Sequence, residues 1–485
     1  MKQFAAPQPD EFDLGQNGNP MIEPPGSMRA AERHEHWSGR VGFILATIGS
    51  AVGLGSIWKF PYEVGTNGGS AFVLFYLAGL VLIVFPLMTV EFAIGRRGKS
   101  DASQSMAVVA VLSGSSRLWA LVGLLGVITA FLILSFYSVI GGWAIANALE
   151  TFRSGLPAAN AKAAQLRFDV LLASPWQMAA YHAVFMGITA LIVSRGILGG
   201  IESAMKVLMP ILIALIVALS LYSMIEGDVG ASLRFLFALD GARLTAKVAL
   251  EALGLGFFSI GVGLAVMVTY AAYASPDVNL RQVAVITLLG DTAISIIAGL
   301  AVFPIVFATN LDPSSGPGLV FVTLPLAFAR MPFGALAACA FFLLLVVAAL
   351  ASAISLLEMP VAFLRRKLGW RRPLATGMCA LSAWVLGIGT VMSFNVWAGW
   401  FPLSFMPGLA KATIFDILDH LTSNVLLPLG GLALAVFGGW VVPATLLADE
   451  LELGARTTTL LRFTLRYVAT PAILLLATAV LVLRQ

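Results

Sequence analysis

From residue 41 to the C-terminus the chain is a succession of eleven apolar stretches, each roughly 20 residues or longer, the length a helix needs to cross a ~30 Å hydrocarbon core. They run at about 41–64, 70–94, 118–149, 176–194, 202–225, 245–273, 280–308, 334–364, 373–393, 414–440 and 460–483. No water in a bilayer can satisfy a stray amide or carbonyl, so such stretches fold as helices that close their own hydrogen bonds. The expected fold class is an all-α polytopic membrane protein. Charge agrees, since 11% of residues are charged and 59% hydrophobic, where a soluble domain carries roughly 25% charged. An ordinary soluble enzyme is excluded. The net charge of +4 comes from basic residues scattered among the connections rather than gathered on one face. The lipid bilayer, and no nucleic acid, is therefore the expected partner.

Residues 1–36 are rich in Pro, Gly, Asn and charge and hold no apolar core of the signal-peptide kind. They read as a mobile cytoplasmic tail, and residues 37–485 as one membrane domain. The stretches near 151–175, 226–244, 309–333 and 394–413 are polar or broken by Pro and Gly, and read as loops on one side. With the N-terminus inside, 19 Lys and Arg fall on the cytoplasmic side and 9 outside, with Lys59 within the first segment. That bias supports the orientation. An odd number of segments then puts the C-terminus outside.

Two segments are interrupted alike. The first contains GSAVGLGS (Gly49–Ser56) and the sixth FFSIGVGLA (Phe257–Ala265). Glycines there either let helices pack closely or break the backbone ladder where freed groups face protein, ions or a wet cavity. Acids deep within apolar segments are functional by default, and three stand out: Glu91, Asp291 and Glu358. Glu91 is expected beside Arg96, anchoring the inner end of the second segment. Glu358 belongs to a structural network or a proton path. Cys339 and Cys379 lie far apart in apolar runs, and His34, His36, His182 and His420 share no ligand spacing, so no metal or redox centre is expected. No nucleophile or acid–base pair converges, and the chain does not read as an enzyme.

The run SAVGLGSIWKFPYEVGTNGGSAFVLFY (Ser50–Tyr76) resembles the first-helix signature of the neurotransmitter:sodium symporter family. EFAIGR (Glu91–Arg96), Tyr137 with Trp143, FFSIGVG in the sixth segment, VTLP before the eighth and SAISLLE within it fall at matching places, over about residues 33–470. The resemblance implies a LeuT-type 5+5 inverted repeat with helices 1 and 6 unwound at the midplane. Repeat one would cover about 41–225, repeat two about 245–440, with an extra helix at about 460–483. It also implies a bacterial inner (cell) membrane location, alternating access, and a monomer or weak homodimer.

An unwound first helix offers what an amino-acid zwitterion needs. Amides at Leu54 and Gly55 would open a new half-helix whose positive end suits a carboxylate. Carbonyls of Ala51, Phe258 and Ser259 suit an ammonium group. By resemblance, Tyr137 gives its hydroxyl to the substrate carboxylate and closes the pocket with Phe258. Relatives that carry amines place Asp at the position of Gly53, so Gly53 favours an amino acid with its own carboxylate. Ile133, Gly261, Leu264, Ser355 and Leu356 would complete a mostly apolar wall, suited to a neutral, hydrophobic or aromatic side chain. Gly261, where the bacterial model has serine, would enlarge it.

The resemblance also implies one or two Na+ ions, held by oxygen ligands as hard cations prefer. Site one would use Ala51, Ser56, Ser259 and Asp291. Site two would use carbonyls of Gly49, Val52 and Ala348 with the Ser352 hydroxyl, while Ala351 removes a second hydroxyl. Chloride is not expected. Tyr76 and Ser295 match two chloride-binding positions, but Leu255 replaces a Gln, and Asp291 would repel an anion. The outer gate would pair Lys59 with Asp419. The inner gate keeps Trp37 and Tyr273, yet His34 and Arg366 stand where relatives pair Arg with Asp. The expected function is sodium-coupled symport of a neutral amino acid into the cell. The alternatives are a proton-coupled carrier using Asp291 and a non-transporting amino-acid sensor.

Overall fold

The first apolar segment folds as two helices rather than one. α1 (Arg40–Ala51) and α2 (Gly55–Thr66) meet at a bend of 47°, because Val52 leaves helical geometry at φ −78°, ψ 106°. The computed structural model describes residues 35–157, 160–313, 319–406 and 408–483, helical apart from its connections, of which the one over 394–413 is the longest. The tail expected over residues 1–36 lies almost wholly outside the described residues, and His34 with it.

After the first break come α3 (Ser70–Gly98), α4 (Ala102–Leu112), α5 (Arg117–Ser154), α6 (Ala161–Leu172), α7 (Pro175–Ser194), α8 (Ile197–Glu226) and α9 (Val229–Phe237). The sixth apolar segment is again two pieces, α10 (Ala246–Ile260) and α11 (Val266–Ala271). Gly261 (φ 74°), Gly263 (φ 92°) and Ala265 (φ 58°) turn the chain between them through the left-handed region. A non-glycine residue there costs on the order of 1–3 kcal/mol, so neighbouring groups must hold this turn. The chain continues through α12 (Leu280–Ala308), α13 (Leu319–Phe328), α14 (Gly334–Leu368), α15 (Arg372–Ser393), α16 (Ile414–Val441), α17 (Ala444–Leu451) and α18 (Ala455–Ala479).

Among the described residues, α3, α5, α7, α8, α12, α14, α15, α16 and α18 are each long and apolar enough to cross a membrane. With the two broken segments they account for all eleven apolar stretches. Several start where the sequence supplies a cap: Asp101 accepts from the Ser103 amide (3.1 Å), Asn279 from the Gln282 amide (2.9 Å), and Thr413 with Asp416 forms a capping box. α5 and α14 pack along much of their length. Each is roughly 50 Å long at about 1.5 Å per residue, more than the ~30 Å bilayer core. In its most apolar window α14 is 83% buried and α18 only 22%. The first therefore sits at the centre of the bundle and the second at its lipid-facing edge.

Two expectations need correction. The stretches read as loops near 151–175, 226–244 and 309–333 contain α6, α9 and α13. In α6 and α9 the polar composition marks exposure, not lack of helix, whereas α13 is a short, mostly buried apolar helix set among Pro and Gly. Nor does Glu91 pair with Arg96. Arg96 Nε binds Glu450 Oε2 (2.7 Å) and its Nη1 the Val278 carbonyl (2.6 Å), fastening α3 to α17. Glu91, one helical turn deeper, instead accepts the Gly263 amide (2.8 Å) and supports the turn between α10 and α11.

Candidate substrate and ion site

The two helix breaks face one another across a central cavity of about 40 Å³. Gly53 and Gly55 from the first break line it with Phe258, Ser259, Gly261 and Leu264 from the second. Ile133 and Tyr137 come from α5, and Ser355 and Leu356 from α14. Ala51 and Leu54 are buried beside the cavity but do not line it. The Leu54 amide is bonded to the Tyr137 hydroxyl oxygen (3.1 Å), which leaves that hydroxyl its own proton to donate. Ser50, Ile260, Val266 and Leu427 also line the cavity. The sequence offered no signal for Leu427, which α16 brings from far along the chain.

Gly53 is confined. A Cβ there would run into the Ser352 hydroxyl and come within 2.9 Å of the Tyr137 oxygen. Gly261 is a glycine first because of its left-handed backbone; a Cβ would meet only Leu264, at 3.4 Å.

Tyr137 and Phe258 also line a second cavity, of about 310 Å³, so the two rings form the septum between them. Lys59, Asp416 and Asp419 lie on its walls. Lys59 Nζ stands 4.4 Å from the Phe258 ring centroid, and Asp419 Oδ1 accepts from Ser423 Oγ (3.0 Å). The far end is aromatic. Phe168 of α6 stacks on Phe321 of α13 at 5.2 Å, and Trp143 meets Phe394 edge-on at 5.0 Å. The helices missed in the polar stretches thus supply the cover of this outer cavity.

Beneath the central cavity lies a buried carboxylate. Asp291 of α12 accepts from Ser56 Oγ (2.5 Å), Ser259 Oγ (3.1 and 3.3 Å) and the Tyr76 hydroxyl (3.1 Å). Ser56 and Ser259 touch each other at 2.9 Å, and Tyr76 reaches Ser295 at 3.5 Å. These are oxygen groups from α2, α3, α10 and α12. Among the described residues the hydrogen-bond partners of Asp291 are hydroxyls, with no cation to balance it. On the other flank of the first break, Ser352 of α14 reaches the carbonyls of Ser50 (3.3 Å) and Val52 (3.4 Å). Gly49 lies against Met205. Ala348 and Ala351 are fully buried beside them.

Comparison with known proteins now adds to this geometry. Residues 34–168 and 166–482 match the model of the sodium:neurotransmitter symporter family. The chain belongs to that family. A sodium-dependent transporter of Bacillus subtilis, YhdH, is 38% identical over 83% of this chain and 86% of its own length. A sodium-dependent transporter of Haemophilus influenzae is 30% identical over 85% and 90%. In three dimensions the chain is similar to MhsT, crystallised in complex with L-phenylalanine, with a TM-score of 0.84 and 41% identity over 92% of this chain and 99% of that one. The protein is accordingly a multi-pass membrane transporter that uses sodium, and not an enzyme.

At the opposite end of the symporter from the outer cavity, Trp37 gives its indole N–H to the Tyr270 carbonyl (2.9 Å) and its amide to that of Tyr273 (3.2 Å). Arg366 is not idle in the position where an acid was expected, but forms an ion pair with Asp101. Glu358 binds the Tyr273 hydroxyl (3.0 Å) and forms an ion pair with Arg372. Arg372 in turn holds the Val193 carbonyl (2.7 Å). Glu358 stands out in the sequence without a partner, since its encounter with Arg372 needs the chain to turn back at Gly369 between α14 and α15.

Proposed function

We propose that this chain is a sodium-coupled symporter of a neutral, hydrophobic or aromatic amino acid, working by alternating access. The observation that carries the reading is Asp291, a buried carboxylate surrounded by the hydroxyls of Ser56, Ser259 and Tyr76 beside two helix breaks. A buried charge without a counter-charge is costly, and a hard cation among these oxygens supplies it. Ser56, Ser259, Asp291 and the Ala51 carbonyl form the first sodium site. Gly49, Val52, Ala348 and Ser352 form the second. The amino-acid carboxylate accepts a hydrogen bond from the Tyr137 hydroxyl and lies at the Gly55 end of α2, where helix polarity favours an anion. Its side chain lies among Ile133, Phe258, Leu264 and Leu356, with Gly261 and Ser355 beside it. Apolar lining on this scale supports a hydrophobic substrate, and the phenylalanine bound to MhsT is in keeping with it.

Transport follows from differential binding. Sodium and amino acid together draw α2 and α10 onto one another, Phe258 and Tyr137 close over the site, and Lys59 and Asp419 approach across the outer cavity. α1 then leaves the opposite side. The test is uptake into proteoliposomes. An inward sodium gradient should drive accumulation, and a thermal-shift screen of the twenty amino acids should show stabilisation that depends on sodium. Equal accumulation from a proton gradient in sodium-free buffer would overturn the coupling and assign Asp291 to proton transfer. Binding without any uptake or counterflow would make the protein a sensor.

A further inference from the structure

Ser38 and Glu202 form a contact that neither the ion sites nor the substrate cavity uses. Ser38, just before α1, donates its amide to Glu202 Oε2 (2.8 Å) and its hydroxyl to Glu202 Oε1. Lys206 reaches the same Oε1 at 2.6 Å. Glu202 ends the π-helical turn Ile197–Glu202 that opens α8, and it is 1% exposed. Its slot exists because residue 42 is glycine: a Cβ there would collide with the carboxyl group. Hydrogen bonds to an ionised acceptor are about twice as strong as neutral ones, and a buried carboxylate stripped of partners is strongly penalised. α1 cannot part from α8 without taking two of the three donors that Glu202 has among the described residues. Trp37, the neighbouring hold, offers only neutral bonds to the carbonyls of Tyr270 and Tyr273.

We propose that Glu202 is the positioning residue that latches the N-terminal end of α1 against α8, so that breaking its bonds to Ser38 opens the site on that side. The role rests on the transport reading above, in which α1 moves. The latch is tested in the full chain in nanodiscs, with Cys339 and Cys379 replaced by serine and single cysteines introduced as reporters. Met205→Cys sits fully buried beneath α1 against Gly49, and Leu172→Cys lines the outer cavity. Glu202→Gln and Ser38→Ala should each raise maleimide labelling of Met205→Cys at least fivefold and lower that of Leu172→Cys. Combining the two should add little to Glu202→Gln alone, because both cut the same contact. Gly42→Ala, which forces the carboxylate from its slot, should act like Glu202→Gln. Unchanged labelling at Met205→Cys would overturn the latch. A rise there without the fall at Leu172→Cys would reduce it to local packing and also overturn it. If Glu202→Gln does not fold, Ser38→Ala carries the test, since it removes one hydroxyl at an exposed position. Sodium-dependent amino-acid binding is measured on the same unaltered protein. Its absence alongside the predicted labelling would sink the transport reading and leave the latch standing.

Discussion

Gly53 has no space for a side chain, and that confinement sharpens what its substitution should do. On sequence grounds Gly53→Asp should abolish amino-acid binding, because a second carboxylate would face the first. Geometry makes the demand stricter: even Gly53→Ala drives a Cβ into Ser352 and against the Tyr137 oxygen. Tyr137 is then displaced from the Leu54 amide, and Ser352 from the Ser50 and Val52 carbonyls. Isothermal titration should show Gly53→Ala weakening amino-acid affinity by about tenfold or more, roughly the value of one charge-assisted hydrogen bond. Sodium affinity should fall with it. Unchanged affinity would place the carboxylate elsewhere. Ala351 offers the opposite experiment. It is fully buried next to Ser352, and Ala351→Ser returns a hydroxyl to the proposed second sodium site. The sodium concentration giving half-maximal uptake should drop several-fold in that variant.

At the scale of elements, the turn between α10 and α11 depends on a helix distant in the chain. Glu91 of α3 takes up the amide of Gly263, which no helix satisfies. Ala265, at φ 58°, is strained in the same turn. Glu91→Gln keeps an acceptor in place, whereas Glu91→Ala leaves a buried amide unsatisfied at a cost of about 1–3 kcal/mol. Hydrogen exchange should therefore speed up across residues 257–267 in Glu91→Ala and much less in Glu91→Gln. Equal protection in the two variants would mean that the turn is held from elsewhere. The same logic explains why Glu91 could be picked out as important from sequence yet assigned the wrong partner. An acid five residues before an arginine looks like its neighbour, but on a helix those side chains point to different faces. Arg96 turned to Glu450 and Glu91 to the turn.

For the whole molecule the governing quantity is charge inside the bundle. Asp291 sits among Tyr76, Ser259 and Ser295, and Leu255, buried nearby in α10, has no hydrogen to donate. On the proposed function, a fixed carboxylate here would balance entering cations and repel a mobile anion. Replacing chloride with gluconate at constant sodium should leave uptake unchanged. A several-fold fall would remove the balancing role given to Asp291. Asp291→Asn with Leu255→Gln takes away the fixed charge and restores a donor, and uptake by that double variant should become chloride-dependent.

What the sequence determined by itself was local. Apolar length marked eleven helical stretches, because a bilayer leaves the backbone no partner but its own helix. Glycine clusters at Gly49–Ser56 and Phe257–Ala265 marked the breaks, since these residues reach turn geometries that others reach only under strain. The signature around Ser50–Tyr76 supplied Gly53 and Gly55 to the cavity, and the rest of the expected lining came from the resemblance over later segments. Tertiary structure decided the encounters between residues remote in sequence: Glu91 with Gly263, Arg366 with Asp101, Glu358 with Arg372, and Ser38 with Glu202. Each joins groups 14 to 265 positions apart. In an apolar bundle a charged side chain must be matched by whichever donor or acceptor the packing brings within reach, and only the packing says which one that is.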